Sequence, residues 1–211
     1  MLSIPFMKVS ILELCGYVSD IVLPPRKSER LVRSISQELL HELATADYVL
    51  PYHDARITAL VWELKYRKNA RALSLAGTFL AERAMEIAEE SLSKPVLIPV
   101  PMHAARRKTR GYNQTELLCE AILKASPDSF AYAPHALVRV RNTIQQQGLP
   151  KHRRLKNMLG AIDVNDASNI TGKTCIVIDD VSTTGATVHE TKRALLHGGA
   201  SEVHILTLAH S

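Results

Sequence analysis

The spacing of apolar residues along the chain changes near residue 95. Before that point, apolar side chains recur three or four positions apart, which predicts two amphipathic helices that meet near Asn69. After it, short and almost entirely apolar runs alternate with stretches of helical spacing. The clearest unit is the last one. Residues 174–180 predict a buried strand, residues 187–199 a helix that ends at two glycines, and residues 202–210 another strand.

Apolar strands that alternate with helices predict an α/β fold, in which a central, mostly parallel sheet is flanked by helices on both faces. Further strands are predicted at residues 95–101, 135–140 and 160–164, and a helix is predicted from Asn113 to about Lys124. Ligands of such sheets bind beyond the carboxyl ends of the strands. We therefore expect the site in the polar segments that follow the apolar runs.

Residues 1–50 are predicted to form a helical N-terminal appendage, and residues 51–211 to form the main domain. After a Pro-Pro break, Ser28 could cap a helix whose apolar positions run from Leu31 to Leu43. These apolar helices could also bury themselves against a second copy of the chain. A homodimer is therefore an alternative to a monomer.

The segment CIVIDDVSTTGATVHE, residues 175–190, places two adjacent acids at the end of an apolar strand. Asp179 and Asp180 repel each other, so they need hydrogen-bond donors or a cation. A turn with four hydroxyl residues and Gly185 then leads into a helix, whose first N–H groups favour an anion. A sugar diol with a divalent metal would satisfy the acids, and a phosphate on the same sugar would satisfy the turn. For the turn alone, an ordinary capped strand-to-helix turn is an equal alternative. An acid pair that only forms surface salt bridges would not explain why four hydroxyl residues and a glycine follow it.

The composition is that of a mildly basic globular protein. A net charge of +5 and a pI near 9.2 favour anionic partners without identifying nucleic acid. Three widely spaced cysteines with no CxxC pair argue against disulfides and structural zinc, and favour a reducing cytoplasm. Lys8 and Glu13 interrupt the apolar N-terminus, and no stretch approaches the ~20 apolar residues of a membrane span. We expect a soluble cytoplasmic protein with no membrane partner.

Four segments together resemble one family. VIDDVSTTGAT, residues 177–187, is similar to the fingerprint of the type I phosphoribosyltransferases, which bind phosphoribosyl pyrophosphate (PRPP). Three further segments narrow the resemblance, which covers the chain from about Leu50 onward, to the ComF/GntX-like branch. They are ALVWELKYRKN, IPVPMHAARRKTRGYNQTELL and RVRNTIQQQGLPKHRRLKNMLGAIDV. The resemblance implies the type I phosphoribosyltransferase fold with a small hood. It also implies a glycosyltransferase of nucleoside metabolism that uses PRPP, with Mg²⁺ as its cofactor.

The same resemblance implies roles for particular residues. Asp179 and Asp180 would hold the ribose hydroxyls and could also bind Mg²⁺, although the substrate would hold most of the metal. The PRPP-binding set is Asp179, Asp180, Val181, Ser182, Thr183, Thr184, Gly185, Ala186 and Thr187. The pyrophosphate loop, residues 101–110, includes Met102, His103, Arg106 and Arg110, of which the two arginines join the two acids as catalytic residues. The mobile loop, residues 141–157, includes Gln146, Arg153, Arg154 and Lys156.

Several of these residues also have a purely structural interpretation. Most of the seven basic residues of the two loops, Arg107 and Lys108 included, could be solvated, with at most two or three touching the substrate. Lys65 lies at the edge of a predicted helix core, where extension of its ammonium into solvent is favoured over a role in the site. Residues 145–147, three glutamines, could recognise a base or fill a flexible loop.

Two segments depart from the family pattern. ComF-like proteins commonly begin with a four-cysteine zinc module. Here LPPRKSER matches the Pro-Pro element near the end of that module, but the cysteines that follow this element in the family are missing. The zinc module is therefore predicted to be lost. Purine-salvage relatives carry a carboxylate in the middle of the phosphate turn, where this chain has Thr183. A general base of that type is therefore missing.

Three functions remain open at this point. The first is an active phosphoribosyltransferase that joins ribose 5-phosphate to a nitrogen acceptor such as a nucleobase. The second is a non-catalytic regulator that senses PRPP or a nucleotide. The third is an accessory protein of DNA uptake and competence, which would contact single-stranded DNA, DNA-uptake proteins or replication-restart proteins through its basic loops. This third role could coexist with either of the others.

Overall fold

The computed structural model describes residues 25–141 and 158–211 of the chain. In these residues the helices are α1 (Pro25–Arg33), α2 (Gln37–Leu43), α3 (Ala55–Tyr66), α4 (Ala70–Glu90), α5 (Ala104–Arg110), α6 (Gln114–Ala125) and α7 (Ala186–His197). The strands are β1 (Leu50–Pro51), β2 (Val96–Pro99), β3 (Ala131–Tyr132), β4 (Leu137–Arg139), β5 (Ile162–Val164), β6 (Thr174–Ser182) and β7 (Glu202–His210).

Five of the strands form one parallel sheet in the order β1-β7-β6-β2-β3. Strands β4 and β5 form a separate antiparallel pair. The α/β fold with a central parallel sheet flanked by helices, predicted from alternating apolar runs and helices, is confirmed. The long strands β6 and β7 lie inside the sheet, where helices cover both faces, and this explains the apolar runs at residues 175–178 and 205–206 within them.

The sheet separates two hydrophobic cores, and β6 contributes to both because successive side chains of a strand point to opposite faces. Ile176 and Ile178 belong to the core that contains Phe79 of α4 and side chains of α1, α2, α3 and α6. Cys175 and Val177 belong to the other core, with side chains of α7, β4 and β5. The same alternation, continued along the strand, decides where the two acids point.

The N-terminal helices pack on α3 and α4 instead of standing apart from them. Val32, Ile35 and Leu40 lie in the same core as Phe79. The prediction that Ser28 caps a single helix is wrong. The chain breaks after Arg33, Ser36 caps α2, and Ser28 is buried within α1, where it donates a 2.6 Å hydrogen bond to Glu63. The division of the chain at residue 50 stays a prediction.

Short elements were missed where the pattern is too brief to show a period. Strands β1 and β3 are two residues each, and α5 forms inside the segment predicted as a basic loop. Asn69 and Asn113 cap α4 and α6, close to the predicted helix starts. In the ranges 25–141 and 158–211 the structure contains no helix long and apolar enough to cross a membrane.

Candidate functional site

The acid pair lies at the carboxyl end of β6, beside the end of β2. Ile178 pairs with Pro99, and the Val100 N–H donates to the Ile178 carbonyl oxygen at 3.0 Å. Asp179 and Asp180 follow directly, and both residues are buried. The pair therefore lies at the edge of a parallel sheet where ligands bind, as the sequence predicts.

Asp180 is held by donors from two helices on its side of the sheet. The Gln114 amide at the start of α6 donates to Asp180 Oδ2 at 2.6 Å, and the Lys65 ammonium on α3 lies 4.0 Å from the same oxygen. The other oxygen, Oδ1, accepts the Val181 N–H at 2.7 Å. Both carboxylate oxygens of Asp180 thus have protein donors.

Asp179 has a different environment. Its Oδ1 accepts the Asp180 N–H at 2.9 Å, and no hydrogen bond reaches its Oδ2 from the described residues. Burial first, and then the negative charge of Asp180, raise the pKa of Asp179 from 3.8 to about 7, while Lys65 and Arg139 act in the opposite direction. The two neighbouring acids are therefore unequal. Asp180 is anchored, and Asp179 keeps an open oxygen.

The hydroxyl-rich turn leads from the acids into α7. Gly185 has φ of 71°, in the left-handed region that favours glycine, and it precedes the first residue of α7 without a side-chain cap. The Thr184 Oγ1 atom is buried, and no hydrogen bond to it is found in the described residues. The helix start and this hydroxyl leave N–H and O–H groups available for an anion.

The predicted pyrophosphate segment is partly helical. His103 caps α5, where its Nδ1 accepts the Ala105 N–H at 3.2 Å, and Met102 is half-buried beside it. Arg110 donates to Gln114 Oε1 at 2.7 Å and lies over the Tyr66 ring at 5.1 Å. Arg110 therefore connects this segment to the donor of Asp180.

The other basic residues of this segment divide into paired and exposed ones. Arg107 forms a forked ion pair with Glu116, at 2.5 and 2.9 Å. Arg106 and Lys108 are exposed, and the charge of Arg106 helps to lower the pKa of Arg139, after the larger effect of burial. The predicted mobile-loop residues Gln146, Arg153, Arg154 and Lys156 lie outside the described residues.

Two site residues, Gln114 and Arg139, were missed by sequence reasoning. Gln114 stands in the quoted segment GYNQTELL, and its place in the first turn of a helix after a strand was the available signal. Arg139 ends the short strand β4, and its charge acts on Asp179 across the site. The spacing of residues along the sequence marks neither of them, because each comes close to the acids only when the sheet and its helices are folded.

The donor set suits a magnesium ion held mainly by its ligand. No group of three or more acidic, histidine or cysteine side chains converges on one point in residues 25–141 and 158–211. A magnesium ion held by a phosphate ligand would find one open carboxylate oxygen here, Asp179 Oδ2. This fits Mg²⁺, which binds through one or two carboxylates together with phosphate oxygens and water.

Comparison with known proteins identifies the family. The model of the phosphoribosyl transferase domain matches residues 79–211, which is more than half of the chain. This protein belongs to the phosphoribosyltransferase family. Its named relatives place it in the ComF-like, type I branch that the sequence resembles.

The DNA utilization protein YhgH of Salmonella typhimurium is 31% identical to this phosphoribosyltransferase-family protein over 171 residues, which cover 80% of this chain and 71% of the relative. Competence protein ComFC of Bacillus subtilis is 36% identical over 117 residues, which cover 55% of this chain and 45% of that protein.

Among solved structures, a hypoxanthine phosphoribosyltransferase from Staphylococcus aureus aligns with a TM-score of 0.40 at 12% identity. The alignment covers 65% of each chain, so this chain spans about two thirds of that structure's length. The fold assignment rests on the family match and on the parallel sheet.

Proposed function

We propose that this protein binds PRPP together with Mg²⁺ and transfers ribose 5-phosphate to a nitrogen acceptor such as a nucleobase. The observation that carries the proposal is the junction of a buried acid pair with a glycine turn that opens a helix. Asp179 and Asp180 end β6, and the left-handed Gly185 precedes α7 five residues later. A pentose with a phosphate on its far carbon has a diol for the acids and an anion for the turn.

In this proposal each group acts on a different part of the substrate. Asp179 Oδ2 accepts hydrogen bonds from the ribose hydroxyls. The N–H groups of the turn and the Thr184 hydroxyl donate hydrogen bonds to the 5-phosphate. Loss of pyrophosphate leaves an oxocarbenium-like sugar, which the buried carboxylates stabilise by charge. Bound Mg²⁺ would neutralise and orient the pyrophosphate. Arg106 is exposed beside the site, where it can meet the leaving group.

Thr183 stands in the turn where purine-salvage relatives have a carboxylate, and it is exposed. It cannot accept a proton from the acceptor nitrogen. An acceptor that loses its proton readily, or has none to lose, therefore fits this site best.

The buried thiols of Cys119 and Cys175 support a reducing, cytoplasmic location.

Calorimetry with PRPP and Mg²⁺ tests binding. We expect saturable binding to the wild type and its loss in Asp179→Asn, whose amide replaces the open carboxylate oxygen. Asp163→Asn is the matched control, because Asp163 is an exposed acid on β5 and its variant should bind normally. Unchanged affinity in Asp179→Asn would show that the ribose site is elsewhere.

Release of pyrophosphate in the presence of a panel of nucleobases then separates an enzyme from a sensor. An enzyme releases pyrophosphate with at least one acceptor, and a sensor of PRPP or nucleotides binds without release. Binding without release across the panel would favour the regulatory alternative.

A second candidate function is the handling of single-stranded DNA. Relatives carry the names DNA utilization protein and competence protein. In this chain a cation-aromatic cluster borders the acid pair: Arg67 lies over Trp62 at 5.4 Å, Lys68 over Tyr112 at 4.4 Å and Arg110 over Tyr66 at 5.1 Å. Aromatic rings among cations are the groups that stack bases and track a phosphate backbone.

Fluorescence anisotropy with a labelled oligonucleotide tests this candidate at two salt concentrations. Arg67→Glu should weaken binding and reduce its salt dependence, because it replaces a positive charge of the cluster by a negative one. Lys124→Glu is the control, since Lys124 is exposed at the other end of α6. Equal affinities for the two variants would show that the cation-aromatic cluster does not contribute to DNA binding.

A further inference from the structure

Lys65 and Asp180 form an ion pair in the site. The Lys65 ammonium lies 4.0 Å from Asp180 Oδ2, and the two side chains are only 16% and 8% exposed. The ammonium therefore ends at a carboxylate instead of in solvent. The second donor to the same oxygen, the Gln114 amide, carries no net charge, so Lys65 supplies the positive charge that faces Asp180.

The helix that carries Lys65 lies outside the region matched by the family domain, which begins at residue 79. Its end is fixed by hydrogen bonds at the two residues that precede Lys65. The Tyr112 hydroxyl donates to the Leu64 carbonyl oxygen at 3.2 Å, and buried Glu63 accepts hydrogen bonds from Ser28 and Asn69 at 2.6 and 3.0 Å. The backbone around Lys65 is thus attached to α1, α4 and the α5–α6 connection.

We propose that Lys65 is a tethered counter-ion, a positioning residue that neutralises Asp180 and keeps a divalent cation from binding the acid pair directly. Magnesium then enters the site only with the pyrophosphate. The entry of magnesium with pyrophosphate, the second part of the proposal, rests on the proposed function. The counter-ion role of Lys65, the first part, concerns the protein and the metal ion alone.

The chemistry of the two cations supports the proposal. Magnesium binds anionic oxygens and gives up its water reluctantly, so it needs carboxylates that are free to enter its coordination shell. At Asp180 the protein donors already occupy both oxygens, and a fixed ammonium a few ångströms away repels a second cation. Asp179 alone leaves an open oxygen, and one carboxylate is a weak site in the absence of phosphate.

Calorimetric titration with MgCl₂ alone tests the counter-ion. The wild type should bind Mg²⁺ too weakly to saturate, and Lys65→Met should bind it at least about tenfold more tightly than that limit, because a buried negative charge is then left uncompensated. Lys94→Met is the control, since Lys94 is an exposed lysine just before β2, at the opposite end of that strand from the acids. Equal Mg²⁺ binding by wild type and Lys65→Met would overturn the proposal.

Two further variants separate charge from folding. Lys65→Gln removes the charge but keeps a polar side chain, so it carries the same test if Lys65→Met does not fold. Lys65→Arg restores the charge and should again bind no Mg²⁺. Tight Mg²⁺ binding by Lys65→Arg would show that packing, not charge, excludes the metal, and would overturn the proposal.

The dependence of PRPP affinity on Mg²⁺ tests the second part. In Lys65→Met, PRPP affinity should fall about tenfold at low Mg²⁺, because the site gains a negative charge, and should recover as Mg²⁺ is raised. An affinity that falls equally at all Mg²⁺ concentrations would overturn this part. If the wild type bound no PRPP at any Mg²⁺ concentration, the proposed function would fail, while the titration with MgCl₂ alone would still decide the role of Lys65.

Discussion

Replacing Asp179 by asparagine should stabilise the protein at about pH 8, although it removes a proposed substrate ligand. The carboxyl group of Asp179 is buried beside Asp180, and its pKa is raised from 3.8 to about 7. A raised pKa in the folded state means that ionisation of Asp179 costs more in the folded chain than in the unfolded chain. The stability associated with its protonated form is fully present below about pH 3.8 and is lost as the pH rises through about 7.

The magnitude follows from that difference. One pKa unit corresponds to about 1.4 kcal/mol, so ionisation of Asp179 lowers the folding stability by about 4 kcal/mol above its folded pKa. Because asparagine does not ionise and its amide oxygen can still accept the Asp180 N–H, the variant avoids this cost. The stability gain should be about 4 kcal/mol near pH 8 and about 2 kcal/mol near pH 5.

Urea denaturation of both proteins at several pH values between about 5 and 8 measures the gain. Asp180→Asn is the matched comparison, and it should lower stability, because the buried Lys65 ammonium then loses its charged partner. The reasoning is refuted if Asp179→Asn is no more stable than the wild type near pH 8. It is also refuted if the gain does not shrink towards pH 5.

Other predictions concern packing and hydrogen bonds. Denaturation midpoints measure the stability changes predicted for the Gly77 and Glu190 variants. Gly77→Ala should destabilise the protein by about 1–3 kcal/mol although alanine favours helices, because a Cβ there would lie 2.4 Å from that of Ala121. Adding Ala121→Gly should restore most of the loss, and no recovery would contradict the steric explanation. Gln114→Glu should weaken PRPP binding, measured by calorimetry, more than Gln114→Leu, because it sets a further carboxylate against the anchored acid; the reverse order would contradict this. Glu190→Ala should lower stability by about 1–3 kcal/mol, since buried Glu190 accepts a 2.7 Å hydrogen bond from the turn before β5, whereas exposed Glu202→Ala should change little.

Much of the fold could be predicted because its signals are local. Strand β6 contains the apolar run of residues 175–178 and α7 is followed by a Gly pair, so their types and order follow from the local pattern. The two-residue strands β1 and β3 could not be predicted in this way, because only their partners in the sheet define them. The single helix predicted from Ser28 failed because the break at Ser34–Ser36 carries no proline or glycine signal.

By itself, the sequence determined the order of the elements, the acid pair at a strand end and the glycine turn that follows it. These features depend on residues close together in the chain, and local geometry expresses them directly. The unequal roles of the two acids depend on tertiary structure. Asp179 and Asp180 alternate on a strand, so each meets a different layer of the protein, and the partners of Asp180 come from α3 and α6, the latter 66 residues away. Only the packing of those helices on the sheet brings Lys65 and Gln114 to the carboxylate, because hydrogen bonds and charges act over a few ångströms of space, whatever the separation along the chain.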